Sequence, residues 1–475
     1  MDCNLKQLIG SNLISGEGKE IEVYNPSNGE LLTKVKGATP SQALKALDEA
    51  NKAFVSWSKT TLQEREKVIR NFIAVLDKNK ETLINLLIQE TGKPLPNAEY
   101  DVQMLPNCLD FFIEEAKRDK GDILPDWEGA HANFTIRKPL GVVVGYFAWN
   151  FPLLNLGYKL GPILASGCTC VMKPSSKTPL CSMLVGQLAK EAGVPSGVIN
   201  IIVGPGSSIS KVLSSSSIPK MLTLIGSSNT GRKIIEQSST SIKHFSLELG
   251  GNAPVIVMKD ADVKAAALSI SDLKYGNAGQ VCVNANRVFV HKNIKDEFIN
   301  EVKTYAESLV LGSGDQGDNI FMGPCVSKEA QNHMQELVED AVSKGAKLIY
   351  GGHIPNREGY FFEPTILDNV DSSMDVYSQE IFGPIMPIIE FNDESNVVEL
   401  ANDTDCGLAA YLFTNDLKMA MKVSKEIDSG SVCVNDVYYH FSLPHGGCKE
   451  SGVGKDCSTL SLAEYSYVQR ISVKL

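Results

Sequence analysis

The stretch Gly141-Val142-Val143-Val144-Gly145 is a short apolar run that leads into a turn at Trp149-Asn150 and a helix pattern after Pro152. The same order of strand, turn and helix pattern recurs three times further along the chain. The strand Thr169–Met172 leads to the turn Lys173-Pro174, the strand Val198–Val203 leads to Gly204-Pro205-Gly206, and the strand Met221–Ile225 leads to Gly226-Ser227. Four such units predict a parallel sheet with helices packed on its faces. Because ligands of these sheets bind beyond the carboxyl ends of the strands, we expect the four turns to share one ligand-binding edge.

Outward from this core, other segments differ in pattern. Residues 39–92 are typical of helices, and a second alternating α/β stretch follows Gly251. We place a domain boundary near Leu249-Gly250-Gly251, because paired glycines suit a hinge. Residues 118–139 combine turn signals with a short strand, and Tyr465–Leu475 alternates like an edge strand. Both segments are candidates for a protruding hairpin that pairs with another subunit.

Length and charge narrow the class of protein. A chain of 475 residues exceeds what one core usually supports, about 250–300 residues, so two domains are expected. The net charge of −11 argues against nucleic acid or an anionic membrane as partner. No apolar run approaches the roughly 18–20 residues that a spanning helix needs. The beginning of the chain, Met1–Lys6, lacks a basic region followed by an apolar stretch, so we expect no export signal and a cytoplasmic protein.

Cysteine usage agrees with a reducing compartment. The eleven cysteines are an odd number and are scattered singly, which is a poor disulfide framework. No Cys-x-x-Cys pair exists, so no metal site is predicted. Cys168, Cys170 and Cys433 lie in apolar runs and are expected to be buried, inert thiols.

Several residues on the predicted edge suit a nucleotide. Gly226 and Gly231 form a G-x-x-x-x-G element that opens a helix, where a backbone without side chains lets a pyrophosphate approach. Gly204 and Gly206 lack the third glycine of the usual dinucleotide fingerprint. Lys173 offers a cation at a strand end. Each signal alone is also compatible with a tight turn or a surface lysine.

Three residues predict covalent chemistry beside that nucleotide site. Cys282 follows a glycine-bearing turn, Glu248 lies in an apolar setting near the boundary, and Asn150 offers an amide donor at a strand end. A thiol nucleophile, a carboxylate base and an oxyanion donor beside a dinucleotide fold favour acyl-enzyme chemistry coupled to hydride transfer.

With these residues the sequence resembles the aldehyde dehydrogenase superfamily, and the resemblance extends over nearly the whole chain. It rests on an ordered series of motifs: Tyr24-Asn25-Pro26, Trp149–Pro152, Lys173-Pro174, Gly226-Ser227, Leu247–Pro254, Gly279–Cys282 with Arg287, Glu380–Pro384 and Pro444–Gly452. The resemblance implies an α/β fold with a Rossmann-like parallel-sheet cofactor domain, an α/β catalytic domain and a small β oligomerisation hairpin. We assign residues 1–117 and 139–250 to the cofactor domain, 251–448 to the catalytic domain, and 118–138 and 449–475 to oligomerisation.

The resemblance also implies residue roles. Cys282 is similar to the family's nucleophile, Glu248 to its general base and Asn150 to its oxyanion donor. The cofactor-binding candidates are Trp149, Lys173, Ser176, Gly204, Gly226, Ser227, Leu249, Glu380 and Phe382. NADP or NAD is the implied cofactor, an aldehyde the substrate, and a homodimer or homotetramer the assembly.

Departures from the family's commonest pattern bear on specificity. Ser176 stands where NAD-preferring members often place glutamate, which favours acceptance of NADP, with Lys173 and Lys177 as nearby cations. Tyr158 and Asn155 are the candidates for the substrate funnel, and Tyr158 stands where succinic-semialdehyde and lactaldehyde dehydrogenases carry arginine. The Pro444-His445-Gly446-Gly447 motif is similar to that of aminoaldehyde dehydrogenases. Together with Tyr438 and Tyr439, these features favour an apolar or a cationic aldehyde.

Three alternatives remain open at the level of sequence. One is a succinic-semialdehyde dehydrogenase specifically. Another is a CoA-acylating semialdehyde dehydrogenase, which would release the thioester to a thiol and so would not need Glu248 to activate water. The third is a catalytically silent binding protein on this fold, which would be expected to lose one of Cys282, Glu248 or Asn150.

Overall fold

The computed structural model describes residues 5–475. Residues 1–4, which belong to the segment examined for an export signal, lie outside the described part of the chain. The elements of the first part are β1 (Gln7–Ile9), β2 (Asn12–Ile14), β3 (Glu20–Tyr24), β4 (Leu31–Lys36), α1 (Pro40–Trp57), α2 (Leu62–Lys78), α3 (Lys80–Thr91), α4 (Leu95–Ala116), β5 (Ile123–Leu124) and β6 (His131–Pro139).

The prediction of helices over residues 39–92 is confirmed, with breaks that local chemistry explains. Thr39 and Thr61 cap α1 and α2, since each hydroxyl accepts a hydrogen bond from the backbone N–H three residues later. In both caps the side chain of that third residue reaches back to the cap backbone, which completes a capping box. Helix α3 ends at Gly92, whose left-handed φ of 70° suits glycine.

The four strand-turn-helix units form the centre of the first large sheet. Their elements, with the strand that follows them, are β7 (Val142–Tyr146), α5 (Pro152–Ser166), β8 (Thr169–Lys173), α6 (Leu180–Glu191), β9 (Ile199–Ile201), α7 (Lys211–Ser215), β10 (Pro219–Ile225), α8 (Ser228–Gln237) and β11 (His244–Glu248). Strands β9, β8, β7, β10 and β11 are neighbours in that order and all parallel. The predicted parallel sheet is therefore confirmed, and the turns after β7, β8, β9 and β10 lie at one edge.

Both faces of this sheet are covered, which explains why its strands are continuous apolar runs rather than alternating ones. Val143 packs into a core cluster that includes residues of α4, α5 and α6. Its neighbours Val142 and Val144 point to the opposite face, into a cluster with residues of α1, α7 and α8. Helices on both sides leave the carboxyl ends of the strands as the place where a ligand can enter.

The second half of the chain builds a second α/β sheet. Its elements are β12 (Ala253–Val257), α9 (Val263–Tyr275), β13 (Ala285–His291), α10 (Lys295–Ser308), α11 (Lys328–Ser343), β14 (Lys347–Tyr350), β15 (Thr365–Asp368), α12 (Asp375–Ser378), β16 (Ile385–Phe391), α13 (Val397–Asn402), β17 (Cys406–Gly407), β18 (Ala409–Phe413), α14 (Leu417–Glu426), β19 (Ser431–Val434), β20 (Cys448–Lys449), β21 (Gly452–Val453), α15 (Ser458–Glu464) and β22 (Ser466–Lys474). The sheet order is β14-β15-β16-β13-β12-β18-β19, parallel except for β14. Its two faces have core clusters of their own.

The tail forms a third, smaller sheet. Strand β22 pairs antiparallel with β6 from Ser466 opposite Pro139 to Lys474 opposite His131, and β5 completes the order β22-β6-β5. The tail is thus an edge strand, as predicted, but its partner β6 belongs to the same chain. The preceding residues of the 449–475 segment lie elsewhere, since β21 pairs with β11 of the first sheet and α15 packs against α4 and α5.

No helix within residues 5–475 combines the length and the apolar character required to cross a membrane. The ten cysteines of this part of the chain are all free thiols.

Candidate active site

Cys282 lies in the loop between α9 and β13. Three preceding residues of this loop, Asn277, Ala278 and Gly279, have left-handed φ angles of 51°, 52° and 74°. A Cβ on Gly279 would lie 2.1 Å from the carbonyl oxygen of Gly383, so only glycine fits there. The left-handed backbone at Ala278 costs on the order of 1–3 kcal/mol, a strain that is typical of functional loops.

Side-chain amides fix this loop. Asn284 donates from Nδ2 to the carbonyl oxygen of Gly279 at 2.7 Å. Gln280 donates to the carbonyl oxygen of Asn277 at 3.0 Å and accepts from the backbone N–H of Val326 at 2.8 Å. Because the backbone on the amino-terminal side of Cys282 is held from several directions, the thiol has a defined position.

Glu248 is the last residue of β11, where it is held in register between Ile225 of β10 and Gly452 of β21. The residue is 3% exposed, and its Oε1 accepts no hydrogen bond. Burial raises the pKa of the Cys282 thiol well above its usual range, and the negative charge of Glu248 raises it further. The resting nucleophile is therefore a neutral thiol with a carboxylate beside it.

Asn150 lies in the turn after β7, as the strand-end argument predicts. It is buried, and its Nδ2 donates to the carbonyl oxygen of Gln280 at 3.1 Å. Asn155 donates to Asn150 Oδ1 at 3.3 Å and so orients the amide. Since an amide nitrogen carries two hydrogens, the second N–H of Asn150 can serve an oxyanion.

Two cavities meet at these three residues. Cys282, Glu248 and Asn150 line both of them. The first cavity, here called the aldehyde cavity, has a volume of about 630 Å³. The second, here called the cofactor cavity, has a volume of about 720 Å³ and lies at the carboxyl-end edge of the first sheet.

The described residues that line the aldehyde cavity include several aromatic side chains and no strong cation. Tyr158 and Asn155, the funnel candidates, line it together with Tyr438 and Tyr439. Sequence reasoning missed Tyr100, which completes a set of four tyrosines, and two acids, Asp272 and Asp436. No lysine or arginine occurs among the described residues that line this cavity. Tyr100 and Asp272 lie on helices without any motif, so only the folded chain brings them here.

The prediction that Cys433 is a buried core thiol is wrong. Cys433 is half-buried and lines the aldehyde cavity, whereas Cys168 and Cys170 are buried as predicted. The reason is that β19, which carries Cys433, is the edge strand of its sheet.

The cofactor cavity collects the predicted cofactor residues. Its lining includes Trp149, Lys173, Ser176, Gly226, Ser227, Leu249, Glu380 and Phe382. Gly204 is not in this lining, but its carbonyl oxygen accepts a hydrogen bond from Ser176 Oγ at 3.4 Å. The phenyl ring of Phe382 meets the indole of Trp149 edge to face, with the ring centroids 5.3 Å apart.

The side chains of this cavity fit a dinucleotide. The buried ammonium of Lys173 is 3.5 Å from the carbonyl oxygen of Pro174, and burial lowers its pKa to about 8. Glu380 accepts from the backbone N–H of Gly251 at 2.9 Å, and burial raises its pKa to about 7. The buried donor Lys173 and the half-buried acceptor Glu380 line the same cavity, and they suit the hydroxyl groups of two riboses. A Cβ on Gly250 would lie 2.7 Å from Glu380 Oε2, so glycine leaves room for that carboxylate.

Lys177 is not among the residues that line the cofactor cavity. Its ammonium is 3.3 Å from Ser327 Oγ and 5.5 Å from the centre of the Trp149 ring. The expectation that Lys177 adds positive charge beside Ser176 therefore fails, because the side chain packs across the indole instead of entering the cavity.

His445 is the residue of this site whose position sequence reasoning missed most clearly. Its Nε2 is 3.5 Å from Glu248 Oε1. The motif Pro444–Gly447 indicated a substrate class. No pattern in the neighbouring sequence indicated that the imidazole of His445 lies beside the carboxylate of Glu248.

A parallel sheet whose cofactor cavity opens onto a half-buried thiol and a buried carboxylate defines an oxidoreductase that works through a thiol. Residues 13–471 match the profile of the aldehyde dehydrogenase family. The chain belongs to this family, so the resemblance found in the sequence is confirmed.

Relatives and solved structures agree over the full length. The chain is 36% identical over 468 residues to the NADP(+) succinate-semialdehyde dehydrogenase of Escherichia coli K12, covering 98% of this chain and 97% of that one. A crystal structure of an E. coli NADP-dependent enzyme superposes with a TM-score of 0.97 at 35% identity and covers 99% of this chain and 98% of that one. A betaine aldehyde dehydrogenase from Staphylococcus aureus, solved in complex with NAD+, gives 0.96 at 33% identity and covers 100% of this chain and 95% of that one.

Proposed function

We propose that this aldehyde dehydrogenase oxidises a cationic aldehyde to its carboxylic acid, with NADP or NAD as the hydride acceptor. The observation that carries the proposal is the meeting of two cavities at Cys282, Glu248 and Asn150, one suited to a dinucleotide and the other free of strong cations.

The chemistry follows from these three residues. The Cys282 thiol releases its proton to solvent as sulfur attacks the aldehyde carbon, and the resulting oxyanion accepts hydrogen bonds from the Asn150 amide and the Cys282 backbone N–H. A nicotinamide held in the cofactor cavity would supply the hydride acceptor that oxidation of this adduct to a thioester requires. Glu248 then takes a proton from water as the water oxygen attacks the thioester carbon, and it returns that proton to the departing Cys282 sulfur, which releases the acid and restores the thiol.

The charge of the aldehyde cavity supports a cationic substrate. Four tyrosines line this cavity, and the face of a tyrosine ring attracts an ammonium group, while Asp272 and Asp436 add negative charge. A substrate with a distant carboxylate would have to leave water without an arginine or lysine partner among the described lining residues.

The principal competing candidate is succinic semialdehyde, because the E. coli relative is named for it. Its substrate carries a carboxylate, whereas Tyr158 stands where the sequence pattern of such enzymes has arginine. A CoA-acylating enzyme is disfavoured by Glu248, whose position beside Cys282 suits activation of water. Loss of activity is disfavoured by the presence of all three residues.

Aldehydes of equal length and different charge test the proposal. 4-Aminobutanal, butanal and succinic semialdehyde differ mainly at the far end, so kcat/KM for the three isolates the contribution of charge. We expect 4-aminobutanal to exceed succinic semialdehyde by about a hundredfold, corresponding to about 2.7 kcal/mol. A higher kcat/KM for succinic semialdehyde would overturn the cationic assignment and leave the oxidation chemistry in place.

NADP is the proposed preferred cofactor. Ser176 puts a small neutral hydroxyl where a glutamate would repel a 2′-phosphate, and Lys173 lies in the same cavity. The E. coli relative is named for NADP(+) and the S. aureus structure contains NAD+, so both cofactors occur among similar proteins.

A homodimer or homotetramer in the cytoplasm is the proposed setting. The three-stranded sheet exposes apolar side chains, including Ile123 and Trp127, which are 92% and 96% exposed in the single chain. Ten free thiols in the described residues suit a reducing compartment.

A further inference from the structure

Three side chains that can each bind a metal converge where the two cavities meet. The sulfur of Cys282, a carboxylate oxygen of Glu248 and a ring nitrogen of His445 all lie within 4.8 Å of one another. We call this group the Cys-Glu-His cluster. The mechanism uses the cysteine and the carboxylate, but it assigns nothing to the imidazole.

An independent observation points to a missing partner in this cluster. Glu248 Oε1 is buried and accepts no hydrogen bond. The single basic side chain within ion-pair distance of Glu248, among the described residues, is His445 at 3.5 Å. A buried carboxylate oxygen without a donor is costly, so this oxygen would gain from a cation.

The backbone that carries the imidazole is held in place. The backbone of His445 forms a two-way bridge with Asp456, with N···O distances of 2.8 and 2.6 Å. The imidazole ring contacts the rings of Tyr158 and Tyr439, with centroids 6.4 and 5.9 Å away. Asp456 is itself fixed by a buried ion pair with Lys159 at 2.6 Å.

We propose that the Cys-Glu-His cluster binds one Zn²⁺ ion, which acts as a reversible inhibitor of the enzyme. Thiolate, imidazole and carboxylate are the three ligand types that zinc prefers. Ligands about 2.0–2.3 Å from a tetrahedral zinc lie roughly 3.3–3.8 Å apart, so the His445–Glu248 pair already fits and the thiol needs a shift of about 1 Å. A water molecule from the aldehyde cavity supplies the fourth ligand.

Charge balance favours the ion. On binding, the Cys282 thiol releases its proton to solvent and forms the Zn–S bond, while His445 binds in its neutral form. The two charges of Zn²⁺ then match one thiolate and one carboxylate. The raised pKa of the thiol makes this proton loss the main cost of binding.

The inhibitory effect rests on the proposed function, since the ion would occupy both the nucleophile and the base. Binding itself does not depend on that function. Sequence analysis predicts no metal site. The three proposed ligands come from β11, the α9–β13 loop and the segment before β20, so no local spacing reveals them.

The test compares wild type with His445→Phe and His445→Gln, and uses His440→Gln as the matched control. His440 also lines the aldehyde cavity, but its Nδ1 contacts Ser442 Oγ at 2.6 Å and it is not part of the cluster. Equilibrium dialysis against buffered Zn²⁺ measures the ion bound per chain. Peptide mass spectrometry after brief iodoacetamide treatment measures whether Zn²⁺ protects Cys282 from alkylation.

We expect wild type and His440→Gln to bind one Zn²⁺ per chain with protection of Cys282, reversed by a chelator. Both His445 variants remove a ligand, so they should lose affinity by at least the roughly tenfold that removal of a supporting group already costs. Equal protection in all four proteins, or zinc binding without protection of Cys282, would overturn the proposal. Inhibition of activity should follow the same order, but an inactive enzyme would contradict only the proposed function, because dialysis and alkylation need no turnover.

Discussion

Replacing Glu248 by glutamine keeps the size of the side chain and removes its ability to accept a proton from water. We expect Glu248→Gln to slow hydrolysis of the thioester far more than its formation. Mixing this variant with aldehyde and cofactor in a stopped-flow fluorimeter should give a burst of reduced cofactor of about one per site, followed by a steady state slower by about a hundredfold or more.

Cys282→Ala is the control for that burst. Without the thiol no thioester forms, so this variant should show neither burst nor turnover while still binding cofactor. Deacylation at the wild-type rate in Glu248→Gln would assign the proton transfer to another group, and near-normal turnover in Cys282→Ala would remove the nucleophile assignment altogether.

Ser176 offers a second test at the level of one residue. A carboxylate at this position would repel a 2′-phosphate, so Ser176→Glu should reduce kcat/KM for NADP by about tenfold or more, equivalent to about 1.4 kcal/mol, with little loss for NAD. Lys177→Ala should leave the ratio unchanged, because that ammonium lies against Ser327 and Trp149. A wild-type preference for NAD of about a hundredfold would contradict the NADP assignment.

Lys173 predicts a pH dependence of cofactor binding. Burial lowers its pKa to about 8, so in the free enzyme the ammonium is charged below that pH and neutral above it. A hydrogen bond from the charged form strengthens binding, and NADP affinity should therefore be flat below about pH 8 and fall by up to about tenfold per pH unit above it. Calorimetric titration at constant ionic strength measures this. Lys173→Arg, which stays charged, should give a flat profile across the same range.

A residue of the site could be predicted from the sequence only where its immediate neighbours along the chain indicated its position. Asn150 follows one strand of the first parallel sheet and Glu248 ends another, and the carboxyl ends of such strands lie at one edge. Cys282 follows a glycine turn before a strand of the second sheet, so its local signal was the turn. His445 lies in a segment without regular structure, and its place beside Glu248 depends on β21 pairing with β11. A two-residue strand has no pattern from which to predict that pairing.

At the scale of elements, β22 and the β5–β6 hairpin carry a prediction about assembly. Val468 on β22 and Trp127 in the hairpin are apolar side chains that are 57% and 96% exposed in the single chain. Replacing both by lysine should shift the protein from a dimer or tetramer toward monomer, because burying two ammonium groups in an interface is costly. Sedimentation velocity at micromolar concentration measures the change.

Ile242→Lys is the matched control for assembly. Ile242 is 97% exposed but lies between α8 and β11, away from the three-stranded sheet. This variant should sediment like wild type. If the double variant also does so, or if wild type is a monomer, the three-stranded sheet is not the interface.

Sequence reasoning predicted the elements whose apolar residues follow a regular spacing and whose ends are marked by turn or capping residues. The four units from β7 to α8 have both, and helices α1 and α2 have capping boxes. The additions to the first sheet were not recovered, since β1 pairs with β9 at a single register position, Leu8 opposite Ile201. Such contacts are decided by packing across long stretches of chain, not by the pattern of either strand.

At the scale of the whole molecule, the two large sheets have separate cores, and the site forms where they meet. Glu248 ends a strand of the first sheet, while Cys282 precedes a strand of the second. Length and the paired glycines near residue 250 indicated two units. The boundaries assigned to them stay predictions, and the division of the 449–475 segment between sheets shows where a linear boundary is too simple.

Because Cys282, Glu248 and Asn150 line both cavities, the reacting carbon can be reached from either cavity. Neither ligand has to pass the other, so the kinetic order of addition depends on relative affinity and not on obstruction. The acid leaves through the side by which the aldehyde entered, and it should compete with the aldehyde while remaining non-competitive toward the cofactor. Abundant reduced cofactor in a cell would therefore slow this enzyme by occupying the cofactor cavity, independently of how much acid has accumulated.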